Sequence, residues 1–244
     1  MIVDSHVHLG WYSDGYHSPN EVWNALRKAD ISKACVSSTS TCAELYHNIQ
    51  TEFYQLFSLA GKENICPILW LSPSMLLKGW PLKDLIKSKI EWQGIKLHYI
   101  SHPLWAKTPS LVDEALDIAR SLGGVPVLLH TGEWENCHAG VFESIVAANS
   151  DLNFVLAHGR PIEETIHLMK NLSNVWTDTA FMPVEDIKRL EKEGLAERVM
   201  FGSDAPINKI YFPNISIGDY LKRTISKIKR SVPSVLSNSL YLNE

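Results

Sequence analysis

From one end to the other the chain alternates short apolar runs of strand length with longer stretches whose apolar residues recur every three or four positions. Met1–Gly10 (MIVDSHVHLG) opens the series as a strand. Ser18-Pro19-Asn20-Glu21 has capping-box form, with Ser18 as N-cap, Pro19 at the first helical position and Glu21 three residues after the cap, and predicts a helix to about Asp30. Ile31–Ser38 reads as a second strand, and Ala43–Ala60 as a helix that Gly61 stops. Asn64–Leu71 (NICPILWL) is apolar throughout, as strands buried on both faces of a parallel sheet are. Beyond it the pattern predicts a helix near Leu82–Glu91, strand Gly94–His98, helix Ser110–Leu122 ended by Gly123-Gly124, and strand Val125–His130. Helix Val141–Asn149, strand Asn153–His158, helix Ile162–Lys170, strand Asn174–Asp178, helix Val184–Glu193, strand Arg198–Ser203 and a last helix over about Ile217–Ile228 complete it.

About eight strands, each followed by a helix, describe an α/β chain built as a single (β/α)8 TIM barrel spanning 1–244, because alternation this regular is what barrel closure needs. A doubly wound sheet is the alternative. No Pro/Gly-rich linker, internal repeat or low-complexity segment divides the chain.

Composition narrows the partners. Of the 244 residues 45% are hydrophobic and 20% charged, the balance of a globular protein with a large core, and the net charge of −4 comes with dispersed basic residues. Nothing in that distribution is built for nucleic acid or an anionic membrane, which leaves a small-molecule substrate and allows a homodimer. No apolar run approaches the roughly 18–20 residues needed to span a bilayer, and the first residues form a charged strand rather than a secretion signal, so a cytoplasmic location is expected. The four cysteines, Cys35, Cys42, Cys66 and Cys137, form no CxxC pair and are expected as reduced, mostly buried thiols.

In such barrels chemistry sits at the C-terminal ends of the strands. His6 and His8 end the first strand, Lys96 and His98 the fourth, His130 the fifth and His158 the sixth; Asp178 ends the seventh, and Asp204 follows the eighth. Alternation puts Asp4, His6 and His8 on one face, so two imidazoles converge beyond the strand end as half a chelate. The other histidines, His17, His47, His102, His138 and His167, fall in helices or loops and read as surface or satisfied polar groups.

The segments DSHVHLG, GIKLH, VLLHTG, FVLAHG, NVWTDTA and RVMFGSDAP, in this order, resemble the amidohydrolase superfamily of metal-dependent hydrolases, in particular its amidohydrolase-2 branch, which also holds decarboxylases and hydratases. The likeness runs from Asp4 to about Pro206. It implies a distorted (β/α)8 barrel with one or two divalent ions, one zinc being favoured, and carries metal-ligand roles onto His6, His8, His130 and Asp204. His158 would bind a second metal or polarise the substrate. Three nitrogens and a carboxylate leave an open position where the pKa of water falls from about 16 to about 7. Asp204 would take the water's proton and return it to the leaving group, and His158 would hydrogen-bond the substrate oxygen.

Lys96 shares a face with Gly94 and His98, and three readings stay open: a carbamylated lysine bridging two metals, an ammonium that with His98 binds substrate, or an internal ion pair with Asp4 or Asp178. Trp11-Tyr12 and Gly132–Cys137 with Trp134 are placed in loops over the same end, as pocket wall or loop packing. The leading function is hydrolysis of an amide, ester or lactone of a small polar molecule. Non-oxidative decarboxylation or hydration of a small carboxylic acid uses the same ligands. A related deoxyribonuclease usually has a glutamate where this chain has Lys96, and a catalytically inactive binding barrel would not need the whole ligand set.

Overall fold

The computed structural model describes residues 1–132 and 134–241. Strand β1 (Val3–Tyr12) turns back into a short antiparallel strand, β2 (Gly15–His17). The remaining strands, β3 (Lys33–Ser38), β4 (Ile65–Leu71), β5 (Gly94–Leu97), β6 (Val127–His130), β7 (Phe154–Ala157), β8 (Val175–Asp178) and β9 (Val199–Met200), lie side by side in chain order, each parallel to its neighbour, with β3 beside β1. The ring closes on β1: Ser5 N donates to the Phe201 carbonyl at 2.8 Å, Asp204 N to that of His6 at 2.8 Å, and His8 N to that of Ala205 at 2.7 Å. The predicted strand Arg198–Ser203 is thus shared, its first part pairing with β8 and its continuation with β1.

Two local departures matter for the site. Asp4 pairs with Ala34 and Val7 with Val36, so β1 carries an extra residue between them. This bulge breaks the strict alternation expected of Asp4, His6 and His8, and Asp4 Oδ1 accepts from Ser203 N (3.0 Å) and His6 N (3.2 Å) instead of joining the rings. Trp11 and Tyr12, expected in a loop, extend β1 into the hairpin. The bend begins at Gly10, whose φ of +97° and closeness to Ser40, 2.7 Å from where a Cβ would stand, admit only glycine.

The helices are α1 (Pro19–Lys28), α2 (Tyr46–Ala60), α3 (Pro73–Lys78), α4 (Trp80–Ile86), α5 (Leu104–Lys107), α6 (Pro109–Ser121), α7 (Glu143–Ala148), α8 (Ile162–Asn171), α9 (Val184–Lys192), α10 (Asn208–Tyr211) and α11 (Ile217–Lys229). Ser18 caps α1 as predicted, accepting from Glu21 N at 3.2 Å. In place of one helix near Leu82–Glu91 the chain forms α3 and α4, because Ser72 and Pro73 start a helix early and Gly79, at φ +70°, ends it. Alternate strand residues then divide the core. Leu69, Ile95, Leu129 and Leu156 face the helices, whereas Cys35, Cys66, Ile68, Leu128, Val155, Met200 and Tyr241 fill the barrel interior. The same inward parity, continued toward the C-terminal ends, delivers Ser37, Trp70, Lys96 and His130 to the site. All four cysteines are free thiols, and among the described residues no helix is long and apolar enough to cross a membrane.

Candidate active site

His6, His8 and Asp204 meet where β1 and the chain after β9 are joined. His8 Nε2 lies 2.9 Å and His6 Nε2 3.3 Å from Asp204 Oδ1, and the two Nε2 atoms are 3.1 Å apart. Each ring is held from behind. His6 Nδ1 is 2.9 Å from Asp178 Oδ2, and His8 Nδ1 is 2.8 Å from Ser37 Oγ. The other Asp178 oxygen accepts from the backbone N–H of His158 (3.2 Å) and Ala180 (2.9 Å), which fixes the carboxylate. With its Nδ1–H spent on Asp178, His6 turns a lone pair at Nε2 toward the cluster.

Lys96, 1% exposed, places Nζ 2.9 Å from His6 Nε2 and 3.1 Å from His8 Nε2, and 4.5 Å from the centre of the Trp70 ring. No ion pair joins it to Asp4 or Asp178, so the internal pairing considered above is not formed. The Trp70, His98 and His130 rings stack, with centroids 5.1 and 4.0 Å apart. His98 Nδ1 accepts from Ser101 N at 3.0 Å, which leaves the ring proton on Nε2. His158 has the opposite tautomer. Its Nδ1–H donates to the Ala180 carbonyl at 3.2 Å, so Nε2 of the neutral ring is an acceptor. His130 is buried with neither ring nitrogen partnered, and it lies outside the group formed by His6, His8 and Asp204.

A pocket of about 190 Å3 opens over these groups. Its floor is His8, Lys96, His98, His130, His158 and Asp204; Trp70, Tyr12, Phe181 and Tyr211 form aromatic walls, and Arg160 adds a cation. Trp134 also lines the pocket, 64% exposed at its mouth, and its neighbour Glu133 lies outside the described residues. Trp11 does not reach it and instead packs on Tyr16, ring centroids 5.2 Å apart. Of the remaining histidines, His47 and His167 are exposed and His138 half-buried, while His17 is buried and paired to Asp14 at 3.0 Å. His102 departs from the satisfied-group expectation, its Nε2 being buried without a partner.

The family model described as Amidohydrolase matches residues 88–210. The chain belongs to the amidohydrolase family. No curated protein matches its sequence. Among solved structures, a probable 2-pyrone-4,6-dicarboxylic acid hydrolase from Acinetobacter baumannii, with citric acid bound, superposes with a TM-score of 0.67 at 12% identity over 97% of this chain and 96% of that one. A 4-oxalomesaconate hydratase from Rhodopseudomonas palustris gives 0.57 at 16%, over 96% of each chain. A 5-carboxyvanillate decarboxylase from Sphingomonas paucimobilis gives 0.55 at 11%, over 98% and 99%. At these identities the likeness is one of fold.

Electrostatics leave imidazoles of this amidohydrolase's site neutral and two of its carboxylates charged. Burial, reinforced by the nearby Lys96 charge, pushes His8 down to about 3, and burial likewise holds His98, His130 and His158 neutral. Burial works against ionisation of Asp178 and Asp204, yet their contacts with His6, and for Asp204 with His8, hold both below the usual carboxylate range. Neutral imidazoles and ionised carboxylates are the states in which these side chains bind metals. Asp4 is the exception: burial raises it to about 7 despite its backbone hydrogen bonds.

Sequence reasoning missed Ser37, Trp70 and Arg160, and gave Asp178 no part in orienting His6. Arg160 had a signal, since it follows His158 in the strand-end segment HGR. Ser37 and Trp70 had none beyond inward parity on β3 and β4, because their roles depend on which ring stands opposite.

Proposed function

We propose that the protein is a metal-dependent hydrolase cleaving an amide, ester or lactone of a small polar molecule, with one divalent ion, zinc by its donor set, held by His6, His8 and Asp204. The observation that carries this reading is the convergence of those three ligand atoms within 4.8 Å of one another beneath the pocket. Two imidazole nitrogens and one carboxylate suit zinc, and the Asp178 and Ser37 contacts behind the rings are the outer support such ligands need. His130, which lines the same pocket, has both ring nitrogens unpartnered and offers a further donor to the set.

A divalent ion bound here supplies Lewis acidity and a water acidic enough to attack at neutral pH. The chain's own groups do the rest. Asp204, ionised, accepts the attacking water's proton at its carboxylate and passes it to the leaving group. His98, whose proton sits on Nε2, donates to the substrate oxygen as negative charge gathers there. Arg160 and the aromatic walls hold the remainder of the molecule and keep bulk water from the reacting bond.

Two cations among aromatic walls also favour a flat, unsaturated carboxylic acid, and with such a substrate the same groups would support decarboxylation. Metal analysis of protein purified without chelator, followed by assay on a panel of lactones, esters, amides and aromatic acids, tests both readings. The expected result is about one ion per chain and hydrolysis of a panel member that stops on chelation. Turnover without metal overturns the metal-dependent reading; carbon dioxide release in place of hydrolysis replaces hydrolase with decarboxylase.

A further inference from the structure

Lys96 is a group of the site whose surroundings do not suit it. An ammonium 1% exposed to solvent is costly to bury and is ordinarily met by a carboxylate or by acceptors for all of its donors. Here no carboxylate oxygen comes within ion-pairing distance among the described residues. The contacts are the two Nε2 atoms, at 2.9 and 3.1 Å, and the face of Trp70. A neutral imidazole has a single in-plane lone pair on its unprotonated nitrogen. A lone pair that accepts from Lys96 Nζ is the lone pair a metal would use. The Asp178 contact commits His6 to that tautomer, and Ser37, facing His8 Nδ1, lets His8 adopt it as well.

We infer that Lys96 is a built-in competitor for the metal site: its ammonium holds the Nε2 atoms of His6 and His8 that the ion would use, and a divalent ion binds only by displacing it toward the pocket. This inference rests on the assignment of those three residues as metal ligands. Lys96 then sets affinity by opposition and does not ligate the ion. Displacement also has a destination, because Lys96 already lines the pocket, where its ammonium meets a substrate carboxylate only after the ion has taken its place. Loading the metal and arming the anion-binding group thus become a single event.

The test is zinc and manganese binding, measured by calorimetry and equilibrium dialysis on the full chain, for the wild type, Lys96→Met and Lys96→Gln, with circular dichroism to establish folding. Methionine keeps the length and apolar stem of the side chain, and glutamine is the alternative should that variant fold poorly. Removing a positive charge next to a divalent ion is expected to tighten metal binding by about tenfold or more. A crystal structure of the metal-loaded wild type is expected to show Nζ withdrawn from both Nε2 atoms. Equal affinity in wild type and variant overturns the competition and leaves the metal site standing. Weaker binding by the variant overturns it in favour of a ligating lysine, as a bicarbonate-dependent carbamate would be. Absence of binding by every form removes both the metal site and the competitor.

Discussion

His6 Nδ1 and Asp178 Oδ2 lie 2.9 Å apart, 172 residues distant in the chain, on the strand that opens the barrel and the seventh parallel strand around it. The carboxylate fixes the ring's tautomer and makes Nε2 a better donor to a cation. Asp178→Asn keeps the shape but removes the charge, and metal affinity is expected to fall by about 10–100-fold. Competition with a chromophoric chelator measures it; unchanged affinity would show that Asp178 serves only the backbone of His158 and Ala180.

The positions of the imidazoles predict graded effects. His8 belongs to the proposed ligand triangle and His130 stands outside it. His8→Ala should therefore abolish stoichiometric metal, while His130→Ala should retain it at reduced affinity. Elemental analysis after gel filtration separates the two, and equal losses would place His130 among the obligatory ligands.

His98 is expected to affect chemistry and not metal. In the proposed mechanism its Nε2–H is the oxyanion donor, and such donors contribute about 10²–10³-fold to kcat. His98→Ala should lose that much in kcat with metal content and KM little changed. A defect confined to KM would reassign His98 to ground-state binding.

Glu52 on α2 is 1% exposed and accepts from Ser38 Oγ at 2.6 Å and Ser40 Oγ at 2.7 Å. Burial outweighs these hydrogen bonds and raises its pKa above the ordinary 4.5. Between the ordinary and the raised value the folded state binds more protons than the unfolded one, so stability falls as pH rises through that window. The wild type should lose Tm relative to Glu52→Gln as pH climbs from about 4.5. Parallel Tm curves for the two proteins would show that Glu52 carries no linked proton.

Arg198 gathers the carbonyls of Met169, Leu172 and Val175, closing the C-terminal end of α8 against β8. Arg198→Ala strips partners from several carbonyls and should cost about 2 kcal/mol. At this chain length that is a fall in Tm of about 4–8 °C, read by differential scanning calorimetry.

Most of the barrel could be read from the chain because its signals are local: Ser18 and Pro19 start α1, Gly61 stops α2, and unbroken apolar runs mark the buried strands. The strand-end histidines were legible for the same reason, since parity and position locate them without knowledge of any partner. What escaped depends on pairing. The bulge between Asp4 and Val7 exists only against β3, and the hairpin of Trp11 and Tyr12 only once Gly10 turns beside Ser38 and Ser40. The contacts of Lys96 could not be foreseen either, because both acceptors come from a strand that is not its neighbour in the sheet. The tautomers of His98 and His158 follow from single backbone groups, Ser101 N and Ala180 O, whose placement no periodicity encodes.

The seam of the ring passes through the site. Main-chain hydrogen bonds from Ser5 and His8 to Phe201 and Ala205 are what bring Asp204 against the two imidazoles. During synthesis both histidines are made long before their carboxylate partner, which appears only after almost every strand. With the proposed ligand set, ion capture would follow closure and could not template it, and the appearance of bound metal during refolding would time the shutting of the barrel.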